Sequence, residues 1–356
     1  MNVFVAPIVG FMASIACFVF LKRKAKGRAP IEWPFVGMLP SLFMHLKDLY
    51  DWHSGILARC GGTYIFRGPS AVWDAVLTSD PGNVEYILKT KFSSFPKGRL
   101  FRSVFRDLLG SGIFNADGEL WIQQRKASVA EFNSSSSLAY VMKSVQDSVC
   151  ERLIPVLDNA CTKRRSIDLH GVFLRFTFDN VCKIAFGVEV GCLSPSLPAI
   201  PFLKAFEDAT EASALRFVTP VFLRKIMRRV GLGIDVKLRS AMKIIDQFSM
   251  EIVSLRREEL GRISHKRADL LSIVMQSRDE NGNPYSDTFL RDICISFILA
   301  GRDTSSVALS WFFWLLLQHP HVEEKILEEV HGILKIRQAD HHQYRSDDPV
   351  FFSRRS

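Results

Sequence analysis

An acid and an alcohol stand side by side at Asp303 and Thr304, inside the cluster Ala300-Gly301-Arg302-Asp303-Thr304-Ser305 that interrupts a long apolar stretch from Phe289 to Leu317. An unpaired buried carboxylate costs several kcal/mol, a large share of a domain's net stability, so the cluster needs a purpose. Chemistry is one: adjacent carboxyl and hydroxyl groups offer a proton path to a bound molecule. Gly301 removes a side chain where a planar ligand could approach. Thr304 can bond back to the Ala300 carbonyl, bending the helix and freeing backbone groups. The same residues equally fit a helix that crosses the domain and turns one polar turn to the surface.

A second pair lies upstream. Trp121 and Arg125 are four residues apart, hence on one helical face, and both are donors without acceptors, an indole N–H and a guanidinium fork. Together they suit an anionic carboxylate; they also fit an aromatic and an arginine packed on a helix surface. The cysteines, Cys17, Cys60, Cys150, Cys161, Cys182, Cys192 and Cys294, are scattered without zinc-site spacing and read as reduced thiols. His319 and His321 flank a proline, and the histidines form no ligand pattern, so no metal-ligand set is assigned.

These side chains must be positioned by a chain that is 47% hydrophobic and 23% charged, ordinary for a globular protein. Of the net charge of +9, more than half comes from Lys22, Arg23, Lys24, Lys26 and Arg28, so nucleic acid is not the partner implied. Val3 to Leu21 is an apolar run long enough to span a bilayer. Residues 1–21 read as a membrane anchor, with the basic cluster and the body held in the cytosol. Residues 22–40 form the basic cluster and a hinge, in which Pro30, Pro34 and Pro40 predict a stiff, extended connector.

A β-hairpin is expected from Thr63–Phe66 and Val72–Thr78 around Gly68-Pro69-Ser70. Asp80 and Pro81 predict an N-cap and first helical residue. Helices follow over Asp117–Phe132, Leu138–Leu157, Phe173–Phe186 stopped by Gly187, 202–215, 220–230 and 236–260. Residues 280–284 form a turn before the notched helix, and Pro320 opens another helix after it. From Lys335 to Ser356 periodicity is lost, and the segment reads as a solvated, disordered tail.

This order of features resembles the cytochromes P450, the haem-thiolate monooxygenases, over roughly residues 1 to 334. The motifs Ala300-Gly301-Arg302-Asp303-Thr304-Ser305 and Asp117-Gly118-Glu119-Leu120-Trp121-Ile122-Gln123-Gln124-Arg125-Lys126 are similar to those of plant fatty-acid ω-hydroxylases. So are Leu193-Ser194-Pro195-Ser196-Leu197-Pro198 and Ala205-Phe206-Glu207-Asp208-Ala209-Thr210-Glu211. The resemblance implies a mainly α fold, the N-terminal two-thirds or so of that family's, with a small β element and a long central helix; residues 41–334 would form an incomplete domain. It implies haem, held at a propionate by Trp121 and Arg125, beneath a helix where Ala300, Gly301 and Ser305 line the haem side. Asp303 and Thr304 would deliver protons to dioxygen there. The segment Phe95–Asn115 matches the substrate-lining loop, so Phe101, Phe105, Leu108 and Phe114 would line an acyl chain, although they also suit a plain core. Expected partners are a fatty-acid substrate, an NADPH-dependent reductase and the endoplasmic reticulum membrane.

The sequence departs from the family after Leu334. The family's later half holds a Glu-x-x-Arg pair and the iron-ligating cysteine, whereas no cysteine here follows Cys294. The sole Glu-x-x-Arg, Glu259 to Arg262, precedes the notched helix and reads as a solvated helix end. The expectation is therefore a truncated chain, from a shortened gene model, a retained intron or a shifted frame. As an alternative to the monooxygenase, such a chain is a non-catalytic relative that at most binds acyl chains. Much of the apolar face of the notched helix would be left exposed.

Overall fold

The computed structural model describes residues 29–33, 35–68, 74–132, 135–219, 221–231, 233–262, 269–278 and 282–346. The expected anchor at 1–21 and the basic cluster through Arg28 lie outside them. Two compact units divide the chain, Met1–Phe101 with Ala214–Leu223 and Arg102–Ser213 with Arg224–Ser356.

In the first unit Trp33 and Gly37 exchange backbone hydrogen bonds of 2.8 and 3.0 Å, so the chain folds back rather than running on as an extended spacer. Gly37 has φ +59°, and a β-carbon there would meet the carbonyl oxygens of Arg67 and Gly68 at 2.4 Å, so only glycine fits. Met38 N–H then donates to Arg67 O at 2.7 Å, and Met38 and Leu39 are buried, which puts the start of the core before Ser41. Helices α1 (Leu39–Met44) and α2 (Leu49–Arg59) pack with an antiparallel hairpin, β1 (Thr63–Phe66) and β2 (Ala75–Thr78), registered Thr63 to Thr78. Residues 69–73, the expected hairpin turn, lie outside the described residues. Helix α3 (Pro81–Glu85) starts as expected, Asp80 accepting from Asn83 N–H at 2.9 Å.

Helix α4 (Gly98–Leu109) occupies the segment expected to be a substrate-lining loop. Leu100, Phe101, Val104, Phe105, Leu108 and Leu109 recur at helical spacing, and that stripe makes the segment helical. The second unit, from Arg102, continues with α5 (Gly118–Phe132), α6 (Ser135–Ser148), a π turn, α7 (Ile154–Thr162) and α8 (Leu169–Phe186). Gly187, at φ +65°, ends α8 by donating to Lys183 O at 2.9 Å. Then come α9 (Pro201–Val218), α10 (Val221–Arg229), α11 (Ile234–Arg262), the unexpected short α12 (Leu270–Gln276), α13 (Asp287–Ile298), a π segment (Leu299–Asp303), α14 (Thr304–Gln318) and α15 (Pro320–Ser346).

Helix α8 is the hub of this unit, packing on α12, α13, the π segment and α14. The core closes around Phe178, Phe206, Ile245, Leu271 and Ile295, with the Phe202 ring 4.3 Å from Phe248 and 5.1 Å from Phe178. The rod Asp287–Gln318 is long and apolar enough to cross a membrane by length and composition, yet Ile293, Cys294, Ile295 and Ile298 are core. Past the π segment the picture changes: Trp311, Phe312, Trp314, Leu315 and Leu317 are exposed, as are Ile326, Val330 and Leu334 on α15. The backbone of α15 stays helical to Ser346, beyond the point where the sequence loses its periodicity.

Candidate functional site

The notch is a π segment because three hydroxyls and one glycine favour it. Thr304 Oγ1 donates to Ala300 O at 2.5 Å, Ser306 Oγ to Asp303 O at 3.0 Å, and Thr177 Oγ1, from α8, to Arg302 O at 2.8 Å. Carbonyls that the widened turn releases are thus satisfied by side chains. Gly301 faces α8: a β-carbon there would stand 2.8 Å from Val181 Cγ2. Its missing side chain admits a neighbouring helix, which accounts for the glycine without a ligand.

Arg302 is the buried centre of the cluster, 2% exposed. Its guanidinium binds Asp303 Oδ1 at 2.7 Å and Glu207 Oε1 of α9 at 3.2 Å, and its Cζ lies 5.5 Å from the Phe206 ring centroid. Burial pushes the Asp303 carboxyl above the ordinary carboxylate range, against the pull of Arg302 and with the push of Glu207. Asp303 and Thr304 are therefore neighbours with different environments. The acid is held in a charged cluster, while Thr304 and Ser305 are exposed and Ala300 is half-buried.

Trp121 is half-buried on α5 and Arg125 exposed, with the guanidinium 5.5 Å from the indole centroid. One residue back, Gln124 is buried and donates to Ser111 O at 2.9 Å. Ser111 N–H in turn donates to Asp292 Oδ2 of α13 at 2.7 Å. Arg291 completes this clamp: it donates to Leu108 O at 2.9 Å and Asp107 O at 3.1 Å, capping α4, and pairs with Asp246 at 2.7 Å and Asp292 at 2.8 Å. The Asp292 carboxylate fills the place where Gly110 (φ +51°) would carry a β-carbon. Sequence reading missed this acid–base pair because its partners lie far along the chain.

A cavity of about 50 Å³ opens between α5, α12 and α13, lined by Gln124, Ser128, Val274, Phe289, Ile293 and Phe297 among others. None of the six notch residues, Trp121 or Arg125 lines it. The expected acyl-chain residues do not gather there either. Phe101 belongs to the first unit, edge-on to Phe217 at 6.2 Å, whereas Leu108 is closed in the core of the second, Phe105 packs against that core and Phe114 is exposed.

For haem, the residues present divide. Trp121 and Arg125 supply donors suited to a carboxylate, and the Ala300–Thr304 edge supplies an exposed hydroxyl; an axial thiolate has no source among the described cysteines. Cys182, Cys192 and Cys294 are buried, and burial holds each thiol above its ordinary range. Cys60 lies in the first unit, and Cys150 and Cys161 are exposed on the π turn and α7. Glu259 pairs with buried Arg256, and Arg262 with Glu258 at 3.6 Å.

The cytochrome P450 family model matches residues 30–350, a span that runs past Leu334. The chain is similar to Cytochrome P450 86B1 of Arabidopsis thaliana, 50% identical over 347 residues, 95% of this chain and 62% of that protein. It is similar to Cytochrome P450 94A2 of Vicia sativa, 36% identical over 336 residues, 90% and 65% respectively. Alkane hydroxylase MAH1 of Arabidopsis thaliana is 34% identical over 338 residues, 92% and 67% respectively. The chain thus spans 62%, 65% and 67% of these relatives' lengths. The crystal structure of the cytochrome P450DA heme domain shares the fold, with a TM-score of 0.62 at 20% identity over 83% of this chain and 61% of that one. With most of its length matched by the family model and its helical architecture shared with a solved member, this chain belongs to the cytochrome P450 family.

Proposed function

We propose that this chain forms the dioxygen-side portion of a membrane-anchored monooxygenase that hydroxylates long-chain fatty acids at or near the ω carbon. The observation that carries the reading is the π segment, which sets exposed Thr304, its hydroxyl bonded back to Ala300 O, beside a carboxyl held by the buried Arg302. Haem, the cofactor of the family, supplies the dioxygen activation that insertion into a C–H bond requires. Within this chain, Trp121 and Arg125 bind and orient its carboxylate edge, Ala300 and Ser305 shape the wall, Gly301 lets α8 close behind it, Asp303 holds a proton and Thr304 passes it on. Phe105 and Phe114 of the second unit are assigned to the acyl-chain side, whereas Leu108, closed in the core, and Phe101, in the first unit, are not. Support for an alkyl substrate comes from a relative named as an alkane hydroxylase. Electrons come from an NADPH-dependent reductase, and residues 1–21 tether the protein to the endoplasmic reticulum with its body in the cytosol.

A second reading applies to these 356 residues by themselves. Cys182, Cys192 and Cys294 are sealed in the core, and on this reading the 356 residues by themselves act as a non-catalytic, membrane-tethered relative that at most binds acyl chains. Two preparations test both readings. The full chain, given haem, reduced and exposed to carbon monoxide, is expected to show no thiolate-type Soret band; such a band overturns the second reading. The chain joined to the C-terminal third of Cytochrome P450 86B1 is expected to show that band and, with reductase and NADPH, to yield ω-hydroxy fatty acids. A chimaera with thiolate-bound haem that leaves fatty acids unchanged overturns the first.

A further inference from the structure

The segment Ala205–Glu211 carries a residue that the proposed chemistry leaves unused. Glu207 projects from α9 onto Arg302, and Arg302 grips Asp303, so two carboxylates divide one buried guanidinium. Phe206 backs that guanidinium with its ring, and Thr177 holds the Arg302 carbonyl, so Arg302 is fixed from α8 and α9 together. Asp303 takes one terminal nitrogen and Glu207 the other, while Nε has no hydrogen-bond partner, so the two acids share the charge of the guanidinium rather than a single N–H donor.

We infer that Glu207 is a positioning residue for Asp303: by competing for Arg302 it sets how tightly the Asp303 carboxylate is held, and so couples α9 to the π segment. When α9 carries Glu207 toward Arg302, Asp303 is gripped less and protonates more readily; when Glu207 withdraws, Arg302 closes on Asp303 alone. The charged and titratable groups facing Asp303 are Arg302 beside it, Glu207 from α9 and His170 from α8. His170 Nδ1 lies 2.9 Å from Ser310 Oγ, one element further along, so Glu207 is the acid in direct competition. The relevance to proton delivery rests on the monooxygenase reading above; the coupling itself does not.

The test is carried out on the full chain in detergent without haem, with aspartate carboxyl carbons labelled and Asp303 assigned by its absence in Asp303→Asn. Wild type and Glu207→Gln are titrated by carbon NMR. Losing the competing charge is expected to move the Asp303 titration to lower pH, and Glu207→Asp, which keeps the charge, is expected to return it toward wild type. An Asp303 titration unmoved in Glu207→Gln, or moved equally by Glu207→Asp, overturns the inference. Because Glu207 is half in solvent, its replacement leaves no buried charge stranded except one that Asp303 already pairs. Failure of the chimaera to hydroxylate fatty acids would count against the proposed activity and leave this titration standing.

Discussion

Replacing Gly301 with alanine separates helix packing from ligand clearance. In an isolated helix the change gains about 1 kcal/mol of propensity. Here the new β-carbon would stand 2.8 Å from Val181 Cγ2 and 3.1 Å from Val181 Cβ, where ordinary contact begins at 3.4 Å. Valine in a helix has essentially one rotamer, so Val181 cannot swing aside, and α8 and the π segment must separate. Overpacking of this kind costs about 2 kcal/mol, which leaves a net loss of about 1 kcal/mol. Urea unfolding of the full chain in detergent, followed by tryptophan fluorescence, reads that loss as a lower midpoint at unchanged slope. Val181→Ala in the same chain makes room, so the two substitutions are expected to be non-additive by about 2 kcal/mol in the favourable direction. Gly301→Ala with a midpoint at or above wild type, or strict additivity with Val181→Ala, refutes the packing role.

Asp292→Ala removes one partner of buried Arg291 and leaves the Ser111 N–H without its acceptor; a loss of about 3 kcal/mol is expected, with hydrogen exchange at 107–112 rising far more than in α11. Asp303→Asn probes the raised carboxyl. Because burial lifts the folded pKa above the unfolded one, this group stabilises the fold fully below the unfolded value and loses that contribution as pH rises through the folded value. The variant is therefore expected to be more stable than wild type at neutral pH, with the gap closing in acid; a gap that widens in acid sinks the argument. Replacing exposed Trp311, Phe312 and Leu315 with serine is expected to lower dye binding and self-association in sedimentation without shifting the unfolding midpoint.

Local signals carried much of the fold. The Asp80–Pro81 start, a hairpin whose strands begin at Thr63 and end at Thr78, and the Gly187 stop each follow from chemistry confined to a few residues; the register of the hairpin is not among the expectations. In helix α4 the phenylalanines suit pocket lining as well as a helix stripe, and the stripe at Phe101, Val104, Phe105, Leu108 and Leu109 is what sets its structure. Helix α12 is a segment of seven residues, Leu270–Gln276, five of them apolar, too short for periodicity to declare, and is secured by Asp269 accepting from Ser272 N–H at 3.0 Å. At the site, the back-bond from Thr304 to Ala300 was legible because both ends lie within one turn. The roles of Arg302, Glu207, Arg291 and Asp292 were not, since each depends on a partner brought close only by tertiary packing. Gly301 shows the same limit: composition identifies a need for space, and only the neighbouring helix says what fills it.

A wide turn takes in one residue more than an α turn, and each residue advances a helix by about 100°. Everything after Asp303 is accordingly out of phase with everything before Leu299 by that angle, so one straight rod presents its sealed side over Ile293–Ile298 and a differently aimed side from Thr304 onward. Deleting a single residue within 299–303 would return the rod to continuous α pitch and leave Thr304, Trp311 and Trp314 on the bearings they already hold. At this place a gap of one residue is a smaller change than the same gap elsewhere along the rod, where it would turn every later side chain by about 100°.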